Sequence, residues 1–323
     1  MKKNSEAKMA EKLLSLIIPV YYEEEVLMES YRRMDAAMQA TGHPYEIIYV
    51  NDGSRDGTMK QLRALAKDHP DTVKVYSFSR NFGHQLAVTC GMDHAKGDAL
   101  IIIDVDLQDP PELIPKMVEM WKDGADIVYG KRLKRKGETL FKKLTAKLYY
   151  RLLSSMSAYP IPLDTGDFRL LDRKVANVFL KMREQARFLR GMSAWMGFEA
   201  VPIEYVRDER AAGKTKYTLK KMIRLACDGI FNFSSKPLEL PFGFGLGLGV
   251  LGMLGLAAMI VLTAIFGAAC PQWLWAVIAF VLLQALTLCC IGVHGMYLGR
   301  MYDELKDRPL YIVAETLNAD DPA

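Results

Sequence analysis

Residues 101–112 read Ile101-Ile102-Ile103-Asp104-Val105-Asp106-Leu107-Gln108-Asp109-Pro110-Pro111-Glu112, an apolar run that drives into carboxylates and then into prolines. A short continuous apolar run bounded by turn residues is the pattern of a buried strand, and the acids fall where its carboxyl end would emerge. In open α/β sheets ligands bind at that edge. Two carboxylates spaced Asp-x-Asp there, Asp104 and Asp106, point to a divalent cation with hard oxygen ligands, Mg2+ or Mn2+, and to a phosphorylated substrate.

Toward the N-terminus the same signal recurs three times. Residues 13–20, 45–50 and 73–78 are apolar runs, each followed by a loop and then a stretch of helical periodicity. The loops are Tyr21-Tyr22-Glu23-Glu24-Glu25, Asn51-Asp52-Gly53-Ser54-Arg55-Asp56-Gly57-Thr58 and Ser79-Arg80-Asn81-Phe82-Gly83-His84. Strands alternating with helices predict an α/β fold, with a mostly parallel sheet, right-handed crossovers and helices on both faces. Glu23, Asp52, Arg80 and Asp104 then share one sheet edge although they are far apart in sequence. Asp52 also has a plainer reading, a carboxylate that caps its own turn.

Toward the C-terminus the chain becomes basic, with clusters over 131–136, 142–147 and 214–224 that suit phosphate ligands or an anionic surface. Residues 140–153 have amphipathic helical spacing, which fits either a membrane-surface element or an ordinary helix on the core. Asp167-Phe168-Arg169 precedes a helix expected from about 173 to 182, and its acid and base could simply pair with each other. A strand over 201–206 leads to the basic loop around Gly213-Lys214-Thr215-Lys216-Tyr217, and residues 218–233 form a second amphipathic stretch.

The 323 residues are 50% hydrophobic and 25% charged, a globular balance that is unevenly spread, for between positions 237 and 299 the only charged residue is Glu239. At about 1.5 Å per residue, segments 241–267 and 273–298 can each cross a hydrocarbon core of about 30 Å. A two-helix transmembrane hairpin is therefore expected, preceded by an interface helix over 218–236 and followed by a tail over 300–323. Lys236 before the pair and Arg300, Lys306 and Arg308 after it place both termini in the cytoplasm, making the protein a multi-pass protein of the plasma membrane. Residues 1–12 show no apolar leader. Small-x-x-x-small spacings such as Gly245 to Gly249 permit close helix association, hence a homo-oligomer.

Several function classes are excluded. A formal net charge of +4 is too small to argue for nucleic acid. Five cysteines without Cys-x-x-Cys spacing support neither a zinc site nor a disulfide framework. No Gly-x-Gly-x-x-Gly follows the first strand, against a dinucleotide oxidoreductase.

The ordered series Pro19-Val-Tyr21-Tyr-Glu23, Asn51-Asp52-Gly-Ser54-Arg-Asp56-Gly, Arg80-Asn81-Phe-Gly83, Asp104-Val-Asp106-Leu-Gln108, Asp167-Phe-Arg169 and Gly213-Lys-Thr-Lys216-Tyr resembles the family-two glycosyltransferases of GT-A fold. Within that family it is most similar to the polyprenyl-phosphate branch, which includes dolichol-phosphate mannosyltransferases and bactoprenol glucosyltransferases. The resemblance runs from about residue 14 to the C-terminal apolar segments, with Tyr22 standing where Asn is frequent. It implies a GT-A domain over 1–217, a nucleotide-sugar donor, a polyprenyl-phosphate acceptor, inversion at the anomeric carbon and a tetramer. It further implies that Pro19, Tyr21, Glu23, Asp52, Ser54 and Arg80 bind the donor's nucleoside side. Arg207, Arg210 and Lys216 would contact its phosphates, and Asp104, Asp106 and Gln108 would surround the metal.

A lipid monophosphate has a second pKa of about 6, so it is mostly dianionic at neutral pH and needs little general-base help. Alignment and charge then govern its attack. Arg132, Lys142 and Lys143 are accordingly candidates for holding the acceptor phosphate, and Asp167 for orienting the reacting groups. UDP-glucose and undecaprenyl phosphate are the expected substrates, with GDP-mannose and UDP-N-acetylglucosamine as alternative donors. Two other readings stand beside this one. A processive polysaccharide synthase is disfavoured because Gln185-Ala-Arg187-Phe188 does not supply Gln-x-x-Arg-Trp, and a nucleotide-binding scaffold without turnover because Asp104, Asp106 and Gln108 are intact.

Overall fold

The computed structural model of the chain describes residues 12–132, 165–206 and 272–319, with isolated positions between 247 and 264. Its first half follows the sequence pattern. Strands β1 (Leu14–Val20), β2 (Tyr45–Asn51), β3 (Val73–Phe78) and β4 (Ala99–Ile102) alternate with helices α1 (Leu27–Gln39), α2 (Thr58–Asp68) and α3 (His84–His94). β1 pairs in parallel with β2 and β4, and β2 with β3. Because successive strand side chains point to opposite faces, Leu14, Leu16 and Ile18 share one core with Met34 and Met38 of α1 and Leu62 of α2. Ile17 joins the other core, with Ala87 and Val88 of α3. Strands buried on both faces need no polar alternation, which is why their sequences are continuous apolar runs.

The second half departs from a mostly parallel sheet. A 3-10 turn (Pro111–Leu113) leads into α4 (Ile114–Lys122), followed by β5 (Ile127–Arg132), β6 (Thr165–Asp172), α5 (Arg173–Lys181), α6 (Leu189–Trp195) and β7 (Ala200–Tyr205). β6 lies between β4 and β5 and runs antiparallel to both, while β5 pairs in parallel with β7. The eight-stranded sheet has the order β7-β5-β6-β4-β1-β2-β3-β8, so the architecture is a mixed α/β sheet. The physical reason is β6 itself. Its sequence Thr-Gly-Asp-Phe-Arg-Leu-Leu-Asp is half polar, and it occupies an interior position because partners within the fold satisfy Asp167 and Arg169. Asp172 ends the strand and caps α5 by accepting from Lys174 N at 2.8 Å.

The last described elements are the long helix α7 (Gln272–Leu305) and strand β8 (Val313–Leu317). β8 adds to the free edge of β3 in antiparallel register. Tyr311 stacks on Phe78 with ring centroids 5.1 Å apart and donates to Asp93 Oδ2 at 2.6 Å, and Arg63 forks onto Glu315 at 2.9 and 2.7 Å. The residues after the apolar segments thus complete the sheet.

The expected multi-pass placement in the plasma membrane is corrected by this structure. Among the described residues, no helix is long and apolar enough to cross a membrane. α7 is one helix that runs past 298 through Arg300, Asp303 and Glu304 to Leu305. The amphipathic stretches over 140–153 and 218–233, and most of segment 241–267, lie outside the described residues.

Candidate active site

The carboxyl ends of β4, β1, β2 and β3 stand side by side, and the loops after them form the site. After β1 the chain turns through Tyr22 at φ 57°, a left-handed conformation that costs a non-glycine residue about 1 kcal/mol or more. Tyr22 N donates to Ser54 Oγ at 3.0 Å and Glu23 N to Thr58 Oγ1 at 3.1 Å, so the first loop is laced to the second. Gly53, at φ 71°, has space for a hydrogen only, since a Cβ there would lie 2.6 Å from the carbonyl carbon of Arg80.

Asp52 is buried, and its carboxylate organises the third loop. Oδ1 accepts from Phe82 N at 2.6 Å and Gly83 N at 3.2 Å, while Oδ2 accepts from Asn81 Nδ2 at 2.7 Å and Gly83 N at 3.0 Å. Burial raises its pKa, and these backbone donors oppose the rise only in part. The carboxylate thus braces the 81–83 loop rather than capping its own turn.

A cavity of about 460 Å³ opens among these loops. Tyr21, Ser54 and Arg80 line it together with Arg55 and with Arg63 and Glu315 on its β8 side. Of the residues implied for the donor's nucleoside, Pro19, Glu23 and Asp52 are not in its lining: Pro19 lies within β1 opposite Val50, and Asp52 faces the 81–83 loop. Arg80 sits over the Phe82 ring at 4.0 Å. Lys142, Lys143, Arg207, Arg210 and Lys216 lie outside the described residues.

The stretch after β4 is rich in carboxylates, with Asp104, Asp106 and Asp109 in six residues. Asp104 follows the strand, Leu107 takes φ 56°, and Gln108 N donates to Asp106 Oδ1 at 3.1 Å. Bending the chain at a buried leucine turns Asp104, Asp106 and Gln108 within one tight loop. The Asp104 carboxyl is pushed up to about 6, by burial first and then by Asp167, Asp106 and Asp109, with His84 opposing. Asp109 is completely buried, where it accepts from the Tyr205 hydroxyl and from Arg132 Nη2 at 3.3 and 3.4 Å. Arg132 also donates through Nε to Tyr205 Oη at 3.2 Å, so this candidate acceptor-phosphate residue already has a fixed partner on each side.

Asp167, from β6, is held by Arg190 of α6 through Nε to Oδ1 at 2.9 Å and Nη2 to Oδ2 at 3.2 Å. His84 Nε2 approaches Asp167 Oδ2 at 3.3 Å and Asp104 Oδ1 at 3.7 Å. Burial alone would raise the Asp167 pKa, but Arg190 and His84 hold it well below the ordinary carboxylate value. His84 moves oppositely: burial would depress it, yet Asp104 and Asp167 raise it to about 9. Arg169 is nearly as close to Asp167, at 3.9 Å, but donates to Ser193 and to the Gly166 carbonyl, so pairing with Asp167 is not its main contact. A carboxylate so firmly ionised orients a partner well and takes a proton poorly.

Among the described residues no three His, Cys, Asp or Glu side chains gather into a ready-made metal cage. The donor set still fits a hard cation. Mg2+ or Mn2+ is commonly held by one or two carboxylates with substrate phosphates and water completing the shell, and Asp104, Asp106 and Gln108 offer oxygen donors from one short loop. Sequence reading missed His84, Arg190, Tyr205 and Glu315. His84 stands directly after the Arg80-Asn81-Phe82-Gly83 motif, which was a usable signal, whereas the other three gain meaning only from tertiary pairing.

The chain is similar in sequence to known glycosyltransferases. Residues 15–179 match the model of Glycosyl transferase family 2. An uncharacterized glycosyltransferase, YkcC, of Bacillus subtilis (strain 168) is 49% identical over 94% of this chain and 93% of its own. The SfII prophage-derived bactoprenol glucosyl transferase of Shigella flexneri is 39% identical over 94% of this chain and 98% of its own. Among solved structures, the glucosyl-3-phosphoglycerate synthase of Mycobacterium tuberculosis in complex with Mn2+, UDP-glucose and phosphoglyceric acid is 18% identical. It covers 72% of this chain and 83% of its own at a TM-score of 0.47.

Proposed function

The chain belongs to glycosyl transferase family 2, and on that premise we propose that it transfers a sugar, glucose from UDP-glucose, to a polyprenyl phosphate such as undecaprenyl phosphate, inverting the anomeric carbon. The observation that carries this reading is the meeting of the Asp104–Asp106 loop with the ion-paired Asp167 at the strand edge that also holds the cavity. The bactoprenol glucosyl transferase relative supports the choice of acceptor.

Tyr21, Ser54 and Arg80 would receive the nucleoside in the cavity, with Asp52 and Glu23 fixing the loops around it and Pro19 setting the exit of β1. Asp104, Asp106 and Gln108 would hold Mg2+ or Mn2+, which when bound offsets charge on the departing diphosphate. Arg207, Arg210 and Lys216 are proposed for the donor phosphates. The acceptor phosphate brings its own charged nucleophilic oxygen, so its attack needs alignment more than proton removal. Arg132, with Lys142 and Lys143, would bind it. The five N–H donors of a guanidinium exceed what Asp109 and Tyr205 take from Arg132. Asp167, clamped as a carboxylate, would orient the reacting groups.

The test is transfer from radiolabelled UDP-glucose, GDP-mannose and UDP-N-acetylglucosamine to undecaprenyl phosphate, with Mn2+, with Mg2+ and with EDTA. The expected product is a singly glycosylated lipid, formed best from UDP-glucose and only with metal. Transfer from none of the donors would sink the proposal, and long glycans would replace it with a processive synthase.

A further inference from the structure

His84 opens α3 directly after Gly83, and its ring reaches between two carboxylates, one on the loop after β4 and one on β6. Nε2 is sealed from solvent and completes a hydrogen bond to neither, although it lies 3.3 Å from Asp167 Oδ2 and 3.7 Å from Asp104 Oδ1. Its side chain as a whole is 35% exposed, so the ring edge borders open space while its buried nitrogen points at the acids. The two acids differ in their other support. Asp167 is forked by Arg190, whereas among the described residues Asp104 has the His84 ring within ion-pair distance.

A buried ring nitrogen at 3.3 and 3.7 Å from two carboxylates is attracted to both and held closely by neither. Hydrogen bonds in catalytic sites are often long before substrate arrives and tighten in the complex. Asp104 sits on the loop after β4 and Asp167 on β6, strands that are antiparallel neighbours, so a donor shared by both side chains fixes the spacing across that strand pair.

We propose that His84 is a positioning residue whose Nε2–H registers Asp104, the proposed metal-binding carboxylate, against Asp167, the proposed orienting carboxylate. This inference rests on the roles given to those two acids above. The partners that orient metal-binding carboxylates typically matter 10- to 100-fold in activity or metal affinity, and the same scale applies here. What the position requires is an N–H on a side chain of this reach. Glutamine supplies one and phenylalanine does not.

The experiment compares His84→Phe and His84→Gln with the unaltered chain in three measurements. These are thermal unfolding, kcat and KM for UDP-glucose with saturating undecaprenyl phosphate, and calorimetric titration of Mn2+ in the presence of UDP. Expected is a roughly 10- to 100-fold fall in kcat or in Mn2+ affinity for His84→Phe, with most of the loss restored in His84→Gln and little change in KM. Unchanged kcat and Mn2+ affinity in His84→Phe would overturn the inference, as would a loss that glutamine does not restore. If His84→Phe fails to fold, His84→Gln decides alone: kcat and Mn2+ affinity within about threefold of the unaltered chain support the inference, and a larger loss overturns it. An inactive unaltered chain would sink the proposed function instead, and the Mn2+ titration would still test the histidine.

Discussion

Asp52→Asn separates a residue that builds the donor pocket from one that reads the donor. Its carboxylate accepts four hydrogen bonds from three donors, Phe82 N, Gly83 N and Asn81 Nδ2. Asparagine keeps one oxygen, which can stay with Phe82 N, the shortest of the contacts at 2.6 Å. The other position becomes an NH2 that faces Asn81 Nδ2 and Gly83 N, donor against donor. Hydrogen bonds to charged groups contribute about 1.5–3 kcal/mol each, and an orphaned buried donor costs about 1–3 kcal/mol. Against this, burial already disfavours the ionised form, as the raised pKa records, so removing the charge returns part of the loss. The net expectation is a destabilisation of about 1–3 kcal/mol. Urea unfolding followed by circular dichroism measures it, and UDP titration in the presence of Mn2+ reads the pocket. Affinity for UDP should fall alongside stability, because Arg80 and Asn81 of the displaced loop line the cavity. Stability within 0.5 kcal/mol of the original with UDP binding lost would refute the reasoning, since the carboxylate would then act on the ligand directly.

Three further perturbations probe the surrounding structure. Arg132→Met leaves the buried Asp109 carboxylate without its guanidinium and should destabilise by about 3–5 kcal/mol, read by chemical unfolding; the double variant with Asp109→Asn should recover much of it. Deleting residues 309–323 removes β8 and exposes the β3 edge, so the protein should associate at high concentration, measured by light scattering, and lose UDP affinity with the Glu315 wall. Asp167 has a depressed folded-state pKa, so its contribution is present above the ordinary value of 3.8 and is lost as pH falls through the lower folded value. The stability gap between the unaltered chain and Asp167→Asn should therefore narrow as pH falls below 3.8, as thermal unfolding across that acid range would show.

The sheet edge was legible because β1 to β4 are continuous apolar runs, each cut off by a loop rich in turn residues and charge. Helix limits followed from periodicity, as at α1 and α5. β6 was not legible as a strand, because the residues that make its sequence polar are satisfied by partners such as Arg190, Ser193 and Trp121, none of which a local reading connects to it. β8 is a short, exposed-reading segment, and it becomes a strand only because β3 offers an unpaired edge. Within the site, Asp104, Asp106 and Asp167 were identifiable from motif, but what each experiences was not. Asp104 is pushed up to about 6 and Asp167 is held well down, although both are buried carboxylates near His84. The difference lies in Arg190, whose partnership with Asp167 is a matter of tertiary geometry. The same holds for Asp52, where sequence offered both a ligand contact and a cap, and the atoms around it supply three loop donors.

The pairing of β8 with β3 also sets a schedule for synthesis. Roughly 235 residues separate Phe78 from its partner Val313, and at about 5–20 residues per second a ribosome needs on the order of 10–50 s to make them. Through that interval the nascent sheet carries β3 with one edge open, and the cavity lacks the wall that Glu315 brings. Closing so long a loop is slow but entropically modest in cost. Completion of the cavity is thus a late event in the life of each chain, and a donor bound there as proposed would meet only finished polypeptides.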